Sequence, residues 1–75
     1  MEIDNVEIYA VEFDGVKQEG SLKYIDIAWS GNIGFGHIYL YTDSSGKLKL
    51  ATEHMNKEFV KMVLEKLVDE AETVE

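Results

Sequence analysis

Apolar and polar positions alternate with period two through much of the first fifty residues, then switch to a helical period. Residues 6–13, VEIYAVEF, are branched and aromatic at nearly every position and predict a first strand. Asp14-Gly15 reads as a turn, with residues 16–20 extending the connection. Residues 22–29 alternate cleanly: Ile25, Ile27 and Trp29 share one face, and Tyr24, Asp26 and Ala28 the other. After a loop at 30–34, residues 36–42 predict a third strand, with His37, Tyr39 and Tyr41 on one face and Ile38 and Leu40 on the other. Asp43-Ser44-Ser45-Gly46 has hairpin-loop chemistry. Residues 47–51 then predict a fourth strand, Leu48 and Leu50 inward and Lys47 and Lys49 outward, as suits a protected sheet edge.

From about residue 56 to 72 the period is 3.6. Phe59, Val60, Val63, Leu64, Leu67 and Ala71 fall on one arc. Asn56 is the expected N-cap, with Thr52 as its rival and Met55 placed to staple onto Val60. Lys61 with Glu65 and Lys66 with Glu70 are spaced four apart for weak pairing. The acids after residue 68 oppose the helix dipole, so the last turn is expected to fray.

Strands first and one helix last predict an α+β domain, ββββα. Short connections imply a four-stranded antiparallel meander with the helix packed on one face. The expected core is Ile25, Ile27, Trp29, Ile38, Leu40, Leu48, Leu50 and the helix arc, with Ile8 or Val11 from the first strand. The opposite face is then rich in tyrosine. Tyr9, Tyr24, Asp26, His37, Tyr39 and Tyr41 form the candidate interaction face, because tyrosine is enriched at interfaces.

Composition narrows the function classes. The 75 residues make one domain and contain no Cys, so neither a disulfide nor a thiolate metal site exists. The acidic N-terminus lacks the basic and apolar regions of a signal peptide, and no apolar run reaches membrane-span length. A reducing cytoplasm is the expected location, with no membrane. Net charge is −8, and all seven bases are lysines. Direct nucleic-acid binding is disfavoured, since it requires a basic footprint and commonly arginine. The charge is placed at the ends: residues 1–20 carry −5 and residues 65–75 carry −4, while 21–64 carry +1. If Glu2, Asp4 and Glu7 meet Asp69, Glu70 and Glu72, an acidic patch results that would imitate DNA phosphates.

The chemistry-bearing patterns are sparse. GNIGFG at 31–36 precedes a strand and lacks the order of a nucleotide-binding glycine motif. Glu53, His54 and Glu58 fall short of a metal ligand set. Ser30 or Ser44 with His37 and Asp43 can be drawn as a triad, but no nucleophile elbow surrounds either serine. No catalytic residue, metal or cofactor is expected, and the chain is expected not to be an enzyme; a pocket lined by His37, Asp26 and Tyr39 would reopen that question.

Ile27-Ala28-Trp29, Gly34-Phe35-Gly36 and the run from Thr52-Glu53 through Met55, Lys57-Glu58-Phe59-Val60-Lys61, Val63-Leu64 and Lys66-Leu67-Val68-Asp69 carry one resemblance. Over residues 25–72 the chain resembles small uncharacterised proteins encoded by phages and prophages of Gram-positive bacteria. The resemblance implies a phage context in a bacterial cytoplasm and brings no catalytic residue. The expected function is a non-enzymatic protein-interaction module that binds a protein partner or itself, with homodimerisation in view. The alternative is an acidic DNA mimic that blocks a host nucleic-acid-binding protein, and a small enzyme is the remote third.

Overall fold

The computed structural model describes residues 5–52 and 56–74. The strands are β1 (Ile8–Glu19), β2 (Leu22–Gly31), β3 (Gly34–Thr42) and β4 (Leu48–Thr52), and the helix α1 spans Lys57–Glu70. The strands pair antiparallel in the order β1-β2-β3-β4, a meander. The α+β class and the ββββα order are as the sequence predicts.

The first strand differs from expectation. It does not turn at Asp14-Gly15 but runs on to Glu19, and the hairpin closes at Gly20-Ser21 instead. Between Phe13↔Ile27 and Val16↔Ile25, β1 advances three residues while β2 advances two. The additional residue makes a β-bulge, and Gly15, at φ 99°, supplies the left-handed backbone such a bulge needs. A second irregularity lies between Ile8 and Ala10.

The glycine-rich stretch is shorter than a loop over 30–34. β2 and β3 continue to Gly31↔Gly34, leaving Asn32-Ile33 as the turn. Asn32 clasps the chain ahead of β1: its Oδ1 accepts from the Glu7 N–H at 2.9 Å, and its own N–H donates to the Glu7 carbonyl at 3.0 Å. A side chain at Gly31 would overlap that carbonyl. The β3–β4 loop is held by Asp43, whose Oδ1 accepts from the Ser45 N–H at 2.9 Å and the Lys47 N–H at 3.0 Å.

Asn56 caps α1, accepting from the Glu58 N–H at 2.8 Å. Thr52, the rival cap, is the last residue of β4; Met55 and the Glu53-His54 pair lie outside the described residues. The helix ends at Glu70 rather than 72, with no basic residue in its last turn. Lys66 pairs with Glu70 at 3.4 Å as spaced, but Lys61 reaches Glu58 at 3.6 Å rather than Glu65.

The core is Val11, Ile27, Trp29, Ile38, Phe59, Val60 and Val63. The Trp29 and Phe59 rings meet edge to face at 4.7 Å. Gly36, buried beside Trp29, leaves the indole its room: a Cβ there would lie 3.3 Å from ring atoms. Ile8, Leu40, Leu50, Leu64 and Leu67 are half-buried around this cluster.

Two expected core residues are not buried. Ile25 is 37% exposed and Leu48 65%, although both point to the helix side as the alternation requires. The reason is length. Fourteen helical residues span about 21 Å, while the twelve of β1 span about 40 Å. The helix therefore covers one end of the sheet, and Phe13, Val16, Ile25 and Leu48 are left exposed toward the other. Ala71, also assigned to the core arc, is the exposed C-cap residue.

Candidate functional site

The bulge decides what faces away from the helix. Without the additional residue, Lys17 would stand opposite Lys23 and share the side of Ile25 and Ile27. With it, Lys17 stands opposite Tyr24 on the other face. Asp26 pairs with Tyr39 and Ala28 with His37 across β2–β3, and Tyr41 pairs with Lys49 across β3–β4. Lys17, Tyr24, Asp26, His37, Tyr39 and Tyr41 therefore share one surface.

At its centre is Asp26, only 3% exposed. Both of its carboxylate oxygens are engaged. The Lys17 ammonium donates to Oδ2 at 2.7 Å and also to Asp14 Oδ2 at 3.0 Å. His37 Nδ1 lies 2.6 Å from Asp26 Oδ1. Burial pushes the Asp26 carboxyl up, but the hydrogen bonds and charges of Lys17 and His37 outweigh it and hold it below its ordinary 3.8. Toward that ionised oxygen, His37 Nδ1 carries the proton and donates. Lys17 is raised above its ordinary 10.5 by its hydrogen bonds to Asp26 and then Asp14.

The aromatic rings continue from this network. His37 stacks on Tyr39, with centroids 5.9 Å apart and planes 6° off parallel. Tyr39 meets Tyr24 nearly perpendicular, at 5.3 Å and 85°. A depression of about 260 Å³ beyond these rings is lined by Glu19, Leu22, Tyr24, Tyr39, Tyr41 and Ala51. Another, of about 240 Å³, lies on the far side of His37 and includes Glu12, Ser30 and Phe35.

Five of the six residues expected on the interaction face are thus brought onto one surface. Tyr9 is not. It sits in the irregularity at the start of β1, 59% exposed, near the partner of Ser30. Ser30 lies six positions along β2 from Tyr24, or about 20 Å. Two members of the network, Asp14 and Lys17, are not evident from the sequence, because Asp14-Gly15 has the chemistry of a turn. The signal for them was the continuing apolar-polar alternation of Val16-Lys17, followed by a second turn candidate at Gly20-Ser21.

Chemically, the network is self-satisfied. Asp14, Asp26 and His37 present ligand atoms within 4.8 Å of one another, but the cation these carboxylates hold is the Lys17 ammonium. The Ser, His37, Asp43 triad is not assembled. The carboxylate on His37 is that of Asp26, and Asp43 accepts instead from Ser45 Oγ at 2.6 Å in its own turn.

The acidic ends meet in part. A groove of about 340 Å³ between the start of β1 and α1 is lined by Glu7, Ile8, Met62, Glu65, Lys66 and Asp69, together with Val6. It joins Glu7 to Asp69 and adds Glu65, which the expected patch omits. Glu70 is drawn to Lys66, and Glu72 is exposed beyond the helix. Glu2 and Asp4 lie outside the described residues.

No helix among the described residues is long and apolar enough to cross a membrane. No protein-family model matches the chain, and neither a curated protein nor a solved structure does.

Proposed function

We propose that the chain is a non-enzymatic protein-interaction module that offers the tyrosine face of its sheet to a protein partner or to a second copy of itself. The setting we propose is a phage or prophage protein in a bacterial cytoplasm. The observation that carries this is the placement of Tyr24, Tyr39 and Tyr41 on paired strands, half-buried, beside a buried and fully engaged carboxylate. Rings held on strands lose little conformational freedom on binding, and tyrosine offers both apolar area and a hydroxyl. Asp26 supports a positioning role over a catalytic one, since both its oxygens are committed to Lys17 and His37.

The test is paired. Sedimentation velocity at micromolar concentration reads self-association, and affinity capture from a bacterial host lysate reads a foreign partner. A Tyr24→Ser, Tyr39→Ser double variant is run beside the native chain in both. A strict monomer whose captured proteins are unchanged in the variant would sink the proposal.

A second reading is supported by the convergence of Glu7, Glu65 and Asp69 along one groove: an acidic mimic of DNA that occupies a host nucleic-acid-binding protein. Glu7→Gln, Glu65→Gln, Asp69→Asn would then release the captured partner and leave the tyrosine variant's capture intact. The opposite pattern favours the tyrosine face.

A further inference from the structure

We infer that the depression walled by Tyr24, Tyr39 and Tyr41 is a cage for an organic ammonium group, either a lysine-type side chain, plain or methylated, or a free quaternary amine. The inference rests on the tyrosine face being the contact face and adds the chemistry it selects.

Four observations carry it. First, the walls are aromatic and mutually perpendicular. Tyr24 and Tyr39 cross at 85° with centroids 5.3 Å apart, edge against face, so a cation seats in the outer corner of the pair, on one ring and beside the second. Tyr41 closes the same depression. Electron-rich ring faces attract cations, and alkylated ammonium groups gain most because they surrender little hydration. Second, the remaining lining is Glu19, Leu22 and Ala51. That places one carboxylate against an otherwise apolar wall, which suits a cation clothed in methyl or methylene groups. Third, the volume of about 260 Å³ leaves room for a trimethylammonium head. Fourth, the two lysines that pair across strands with Tyr24 and Tyr41 are already committed. Lys17, opposite Tyr24, is clamped between Asp26 and Asp14. Lys49, opposite Tyr41, has its ammonium 3.7 Å from Asp43. These two cations are tied elsewhere, and a net charge of −8 draws one from outside.

The His37–Asp26 pair sets the cage. Asp26 fixes the imidazole, the imidazole lies flat on Tyr39, and Tyr39 thereby holds its angle to Tyr24. His37 is a positioning residue here, reached by the ligand only through Tyr39.

The experiment is an amide-resolved NMR titration of the whole chain with choline and with 3,3-dimethylbutanol, its uncharged isostere. Choline should shift the amides of Glu19, Tyr24, Tyr39 and Tyr41 with saturation in the millimolar range expected of so small a ligand. The isostere should bind at least about fivefold more weakly. Tyr39→Phe should keep binding within about twofold, Tyr39→Leu should lose at least about fivefold, and Glu19→Gln should weaken it about two- to fivefold at low salt. Equal binding of choline and isostere overturns the inference, as does no saturable shift up to about 100 mM choline. A short peptide bearing one trimethyl-lysine separates the two sources: tighter binding than choline assigns the cage to a protein side chain, and equal binding assigns it to a free amine. Capture of a partner that depends on the tyrosines but is indifferent to choline removes the cage and leaves the interaction face. Choline binding with capture unaltered in the Tyr24→Ser, Tyr39→Ser variant does the reverse.

Discussion

Asp26→Asn is the sharpest perturbation, because it keeps the shape and removes the charge. At neutral pH the native carboxylate receives two charge-assisted hydrogen bonds, from Lys17 at 2.7 Å and His37 at 2.6 Å. Each bond to a charged group is worth about 1.5–3 kcal/mol. Against this stands the desolvation of a side chain only 4% exposed, which the variant relieves. The orphaned partners are not stranded, since the Lys17 and His37 side chains are 42% and 40% exposed and can turn to water. The net loss should therefore be about 1–3 kcal/mol, below that of a fully buried broken pair. In a domain this small that lowers the melting temperature by roughly 5–20 °C. The effect carries a pH signature. Asp26's carboxyl is held below its ordinary 3.8 in the folded chain, so its contribution is present above 3.8 and is lost as pH falls through the lowered folded value. Urea unfolding of both proteins at neutral pH, and again well below 3.8, measures the difference. The gap should close in acid. A variant as stable as the native chain at neutral pH would show that the network contributes nothing net, and a gap that does not change with pH would show that the loss does not come from the carboxylate's charge.

Three further outcomes follow from the backbone and the surface. Gly15→Ala puts a Cβ on a residue at φ 99°, in open space but in a strained backbone; thermal unfolding should show a loss of about 1–2 kcal/mol. Gly31→Ala drives a methyl into the Glu7 carbonyl, and should cost about 1–3 kcal/mol while speeding amide exchange at Glu7 and Asn32. Leu48→Lys, at a position 65% exposed, should change stability by no more than about 0.5 kcal/mol in the same denaturation assay, although the alternation assigns Leu48 to the core side.

The elements themselves were largely legible. Period two in residues 22–29 placed Ile27 and Trp29 inward and Tyr24 and Asp26 outward, because successive side chains on a strand must oppose. Asn56 and the 43–46 turn were legible because capping and turn chemistry are local. Asp14-Gly15 was not. A flexible glycine after an aspartate serves a hairpin turn and a bulge equally well, and only the pairing of β2 decides between them. Nor could the alternation show that Ile25 and Leu48 lie bare, because a side chain's face is a local property and its cover is not. Where a helix lands on a sheet depends on the docking of residues far apart in sequence, here Phe59 against Trp29.

That one misplaced turn hid the centre of the site. The bulge shifts Lys17 by one residue of register and so turns it to the face of Asp26; the carboxylate can then be buried there with a cation and an imidazole on its two oxygens. A buried ion pair rarely outperforms a well-packed apolar residue in stability. What Asp26 supplies beyond stability is direction: it fixes His37 through Nδ1, His37 lies flat on Tyr39, and Tyr39 stands square to Tyr24. An apolar residue at 26 would fill the same space but leave the imidazole free to turn. Asp26→Leu separates the two roles, since a chain that folds as stably yet loses choline binding would show that the carboxylate is there to set the angle between the rings.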